Sequence, residues 1–123
     1  MTDDIYVIIG EGDWQIAKSN GEYSPESLIS EGFIHACTEE QLLHSANKFY
    51  AGRHDVLALK LDAGSLNSHV KYEPAKNGKL YPHIYCPLKI TSVAEVIQLV
   101  LHEDGLFMEL PSPLTHSNIT GTL

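Results

Sequence analysis

Of the seven histidines, two are flanked by apolar and aromatic residues: His35 in Phe33-Ile34-His35-Ala36, and His83 in Tyr81-Pro82-His83-Ile84-Tyr85. An imidazole changes charge near neutral pH, and with a carboxylate such as Glu73 it forms the pair that proton transfer most often uses. Each residue also has a bland reading. Either histidine could be a core side chain bonded to backbone, and Glu73, ahead of Pro74, could pair with Lys71 or Lys76 at the surface. Cys37 stands two residues after His35 and just before Thr38, where a helix start would favour a thiolate. That permits a Cys–His nucleophile, against the alternative of an inert packed thiol. Cys86 reads as packing. His35, His83 and Glu73 also have the donor types of an open metal site, but no pair has the helical spacing of HExxH. Gly10-Glu11-Gly12 is too short for a phosphate loop, and the sequence contains no GxGxxG, Walker or GxSxG motif.

The elements that must position these groups follow from local pattern. Ile5 to Ile9 reads as a first strand ended by Gly10. A helix is expected from Trp14, capped by Asp13, and a second after Ser24-Pro25, with serine at the cap and proline in the first turn. Phe33 to Ala36 reads as a strand. Thr38 and Gln41 have capping-box spacing and open a helix with Leu42, Ala46, Phe49 and Tyr50 along one stripe. Asp55 to Asp62 reads as a central strand. His69 to Glu73 and Leu80 to Tyr85 read as a hairpin turned by Asn77-Gly78, with Pro82 predicting an edge or a bulge. Ile90 to Leu101 is expected to be one long strand, with a helix as the rival. Side chains alternate along a strand, so Phe33 and His35 share a face, as do His69, Lys71 and Glu73, and Tyr81, His83 and Tyr85. A sheet joining these strands would converge two imidazoles, a carboxylate and two phenols. Strands and helices without regular βαβ alternation argue for an α+β fold.

At 123 residues the chain has room for a core without metal or disulfide staples. One domain is expected over residues 1–110, with 111–123 a flexible tail. The net charge of −8 repels phosphate backbones, so no nucleic-acid partner is expected. No apolar run reaches membrane-span length and the first residues are acidic, which predicts a cytoplasmic protein with no membrane partner and free thiols. The oligomeric state is left open.

Several segments, read in order, resemble a known family: Ile5-Tyr6, Trp14 with Ala17, Tyr23-Ser24, Glu31-Gly32-Phe33-Ile34-His35, Ala46-Asn47 with Phe49-Tyr50, Tyr72-Glu73, and Tyr81-Pro82-His83-Ile84-Tyr85 with Pro87-Leu88. The chain is similar, from about Ile5 to about Leu99, to domain-of-unknown-function family 952. The resemblance implies an ADP-ribosyltransferase-like fold, a split and strongly twisted β-structure with flanking helices and a cleft. Enzymes of that wider group bind NAD there, using a strand histidine and often a late glutamate. By position His35 resembles that histidine, and Glu73 or His83 supplies the later role. Tyr23, Cys37, Thr38, Gln41 and Tyr85 are then expected to line a small-molecule ligand. Cys37 and Cys86 depart from the family's usual serine and glycine, which would narrow the cleft or alter its ligand. The resemblance implies a transferase or hydrolase at a ribosyl bond. A non-catalytic binding module, a cysteine- or metal-dependent hydrolase and a protein associating through an edge strand are the rivals.

Overall fold

A computed structural model describes residues 4–107. The apolar run Ile5–Gly10 forms β1, which pairs with a strand along each edge and has a hydrophobic core packed on each face. The chain turns directly into α1 (Glu11–Asn20), then β2 (Glu22–Tyr23), α2 (Glu26–Ser30), β3 (Ile34–His35) and β4 (Cys37–Thr38). Next come a 3₁₀ turn at Glu39–Gln41, α3 (Leu42–Tyr50), β5 (Val56–Leu61) and the single turn α4 (Ala63–Leu66). The hairpin β6 (Val70–Pro74) and β7 (Leu80–Ile84) is followed by β8 (Leu88–Lys89), a 3₁₀ turn at Ile90–Ser92, and β9 (Val93–Gln98).

The architecture is α+β. Among the described residues every strand pairing is antiparallel, in a four-stranded sheet β4-β1-β5-β9, a three-stranded sheet β3-β7-β6 and a two-stranded link β2-β8. Strand alternation divides the apolar residues into two cores. Ile5, Val7, Ile9, Leu57, Leu59 and Leu61 face one way, meeting Trp14 and Ala17 of α1 and Ile34 and Ile84 of the smaller sheet. Tyr6, Val56 and Ala58 face the other way, onto Leu42 and Ala46 of α3, with Leu99 and Phe107. Asn47 fixes Phe107 through both its polar atoms: Nδ2 donates to the Phe107 carbonyl at 2.8 Å, and Oδ1 accepts from the Phe107 amide at 2.7 Å.

Several local expectations are corrected. The first helix starts at Glu11 with Gly10 at its cap, and Asp13 lies inside it, because the Asp55 carbonyl takes the Glu11 N–H at 2.8 Å. Pro25, not Ser24, occupies the cap of α2, while the Ser24 hydroxyl turns to Glu22. The capping box of Thr38 and Gln41 is present, but it opens a 3₁₀ turn before α3, and Phe49 is exposed off the apolar stripe. The expected long strand is shortened to Val93–Gln98. Pro82 sits in the central strand of its sheet, not at an edge. The Tyr85 N–H bonds the His69 carbonyl on the β6 side, so Pro82, three residues earlier and of opposite parity, faces β3, which has ended before the register reaches it. The tail expected at 111–123 lies outside the described residues.

Candidate functional site

Register in the smaller sheet assembles the site. His83 on the central strand β7 lies opposite His35 of β3 on one side and Lys71 of β6 on the other, and Glu73 lies opposite Tyr81. Because alternate residues share a face, His35, His83, Tyr85, Lys71 and Glu73 emerge together while Ile34 and Ile84 point into the core.

Glu73 is the hub. Its Oε1 accepts the His83 Nδ1–H at 2.6 Å and the Tyr85 hydroxyl at 2.5 Å. These bonds assign the neutral His83 tautomer with the proton on Nδ1, leaving Nε2 as the nitrogen able to give or take a proton elsewhere. The Tyr85 hydroxyl, and after it His83, hold the Glu73 carboxyl below the usual carboxylate range, so it is ionised at neutral pH. The same bond pushes the Tyr85 phenol upward. Lys71 Nζ lies 4.9 Å from the centroid of the Tyr85 ring.

The aromatic surroundings come from the turn before β3. Phe33 stacks on His83 with centroids 3.9 Å apart and planes 12° from parallel. The rings of His35 and His83 are 5.7 Å apart, edge to face. Glu31 returns to His35, its Oε1 2.7 Å from Nε2. Burial is uneven: the His83 side chain is 15% exposed, Glu73 37% and His35 59%.

The structure therefore brings together His35, Glu73, His83 and Tyr85. Phe33 and Lys71 join them as parity anticipated, and Glu31 joins unforeseen. The remaining expected lining residues lie elsewhere or are otherwise engaged. Cys37 does not share a face with His35: at Ala36 the chain leaves the smaller sheet for the larger one, and Cys37 becomes 2% exposed with its thiol donating to the Tyr6 carbonyl at 3.7 Å. Burial pushes that thiol up to about 12, with a hydrogen bond to Ser45 opposing, so the buried group is held as a thiol. Gln41 is committed to backbone, accepting from the Thr38 N–H at 3.0 Å and donating to the Leu80 carbonyl at 2.8 Å, which leaves Thr38 in its capping role. Tyr23 lines a separate open cleft of about 680 Å³ with Asp13, Ile16, Glu22 and Pro25, and no member of the His–Glu cluster reaches it. Burial pushes the Tyr23 phenol up to about 12. Among the described residues no three His, Cys, Asp or Glu side chains are placed to hold a metal ion. No helix among them is long and apolar enough to cross a membrane.

An α+β chain with carboxylate-bonded histidines on one sheet face is the class that fold and site define. Residues 8–96 match the model of the family described as Protein of unknown function (DUF952), and the chain belongs to that family. It is similar to the crystal structure of protein CC0527 from Caulobacter crescentus, with 30% identity, a TM-score of 0.79, and 85% of this chain and 93% of that one covered. The solution NMR structure of CC0527 gives 29% identity and a TM-score of 0.75 over 93% of this chain and 95% of that one. No curated protein matches the chain.

Proposed function

We propose that the chain is an enzyme that cleaves or transfers at a ribosyl bond of a small NAD-, ADP-ribose- or nucleotide-like molecule, on the face carrying Glu73, His83 and His35. The observation that carries this reading is the Glu73 carboxylate, kept ionised by two short hydrogen bonds beside an aromatic surface. Departure of a base from a ribose leaves an oxocarbenium-like cation, which a fixed carboxylate stabilises as it forms. Phe33 and Tyr85 offer apolar surface for a planar base, and His83 Nε2 is the proton-transfer atom. An ADP-ribosyltransferase-like fold, which the sequence resemblance implies, makes NAD a ligand to test first, by analogy of fold.

A binding module is the second reading, favoured by the openness of the face, where His35 is 59% exposed. Thermal shift against NAD, ADP-ribose and adenosine 5′-monophosphate tests the reading on wild type and His83→Ala. A ligand at about 100 times its Kd adds about 2.7 kcal/mol, several degrees for a domain of this size. The expected result is a shift with at least one of the three that His83→Ala abolishes. A folded wild type unmoved by all three would overturn the reading.

A further inference from the structure

Glu31 belongs to no expected site, yet its placement is built by the turn that carries the Glu31-Gly32-Phe33-Ile34-His35 segment. The Glu31 and Gly32 N–H groups both bond the Ser27 carbonyl, at 2.7 and 3.1 Å, and the Ser27 hydroxyl donates to the Phe33 carbonyl at 2.9 Å. Gly32 sits at φ +90°, where side chains other than glycine are strained, and this reverses the chain. The reversal returns Glu31 to His35 across a turn, not along a helix face, and seats Phe33 on His83. With the carboxylate at 2.7 Å, neutral His35 carries its proton on Nε2, which leaves Nδ1 as the nitrogen with no bonded partner among the described residues. His83 is the converse: Nδ1 is held by Glu73 and Nε2 is left over.

We propose that Glu31 is a positioning residue for His35, so that this face holds two carboxylate-oriented imidazoles acting as base and acid on one substrate, an N-glycoside whose base is uncharged, such as a purine nucleotide. This rests on the ribosyl-bond reading and narrows it. A pyridinium base, as in NAD, leaves its ribose as a neutral molecule and needs no proton. A purine leaves well only when protonated, and that requires an acid in addition to the base that activates water. In the step, His35 Nδ1 takes a proton from water as the water oxygen bonds to the anomeric carbon. The carbon–nitrogen bond breaks with its electron pair going to the base nitrogen, and His83, having first taken a second proton from solvent on Nε2, gives that proton to the nitrogen. His35 ends protonated and His83 neutral, and exchange with solvent restores both. The two imidazoles are register partners with ring centroids 5.7 Å apart, so both belong to one face of the sheet.

The test combines two readouts on the full chain, wild type and Glu31→Gln. Nitrogen-15 NMR of the imidazoles reports tautomers without any ligand. The expected result is His35 as the Nε2–H form in wild type and as a mixture in Glu31→Gln, with His83 unchanged as its Nδ1–H form. The second readout is base release from adenosine 5′-monophosphate and from NAD. Adenine release is expected from wild type, with kcat lowered about 10–100-fold and KM little changed in Glu31→Gln. A mixed His35 tautomer in wild type, or an unaltered one in the variant, would overturn the positioning role. Release from NAD alone would overturn the substrate class while the ribosyl reading stands. Release from neither, with the expected tautomers, would sink the ribosyl reading and leave the positioning of His35 by Glu31 in place.

Discussion

Alkylation of the native protein should separate its two cysteines sharply, and the size of the difference follows from the fold. Cys37 lies in β4 against Tyr6, and burial raises its thiol from 9.0 to about 12. At about pH 8 an ordinary thiol of that starting value is ionised in about one molecule in ten, whereas one at 12 is ionised in about one in ten thousand. The reactive thiolate is thus depleted about a thousandfold. At 2% exposure, the reagent must also wait for the sheet to open. Cys86 is raised in the same direction by burial, with Lys89 opposing, but it is only partly buried. A time course with iodoacetamide, read by intact mass and peptide mapping, should place the first adduct on Cys86. Cys37 should react only when denaturant opens the chain, and then at a rate comparable to Cys86. Modification of Cys37 in the native protein at the rate of a free thiol would refute the reasoning and restore a cysteine nucleophile.

Two further outcomes test the site's surroundings. Glu73 binds its proton more weakly in the folded chain than in the unfolded one, so its stabilising contribution is present above the ordinary carboxylate range and lost as pH falls through the depressed folded value. The urea midpoint of wild type should therefore exceed that of Glu73→Gln at about pH 7 and converge toward it at about pH 3; a gap that stays constant would count against the bonded carboxylate. Gly32→Ala meets no neighbouring atom, so its effect should be backbone strain of about 1–2 kcal/mol, together with loss of the defined His35 tautomer. An unchanged melting temperature would argue against the left-handed turn.

Much of the site was legible because it depends on strand parity. The hairpin at Asn77-Gly78 and the alternation of His83 and Tyr85 place those two side chains on one face whatever the larger fold, and the observed register joins them to Glu73 and His35, while Tyr81 bonds Asn77 and packs on the second core. Cys37 defeated the same rule. Spacing of two means a shared face only within one strand, and the chain changes sheets at Ala36. Glu31 was hidden for the opposite reason: its approach to His35 depends on a left-handed glycine, and glycine's presence does not reveal which conformation it adopts. Gln41 shows a third limit, since a capping box is visible as spacing while the bond from its amide to Leu80 is tertiary. The start of α1 escaped for a similar reason, its first N–H being satisfied by Asp55 across the fold.

Under the proposed function, Glu73 is a charged group serving chemistry on a ribosyl bond. Its most direct test is base or nicotinamide release by wild type and Glu73→Gln, with binding of the uncleaved ligand measured alongside by calorimetry. Release by wild type is expected, with a loss of about 100-fold or more in kcat for Glu73→Gln and a Kd changed by only a few-fold. Equal loss of affinity and rate would make Glu73 a binding group, and wild type that binds the ligand but never releases a product would contradict the claim.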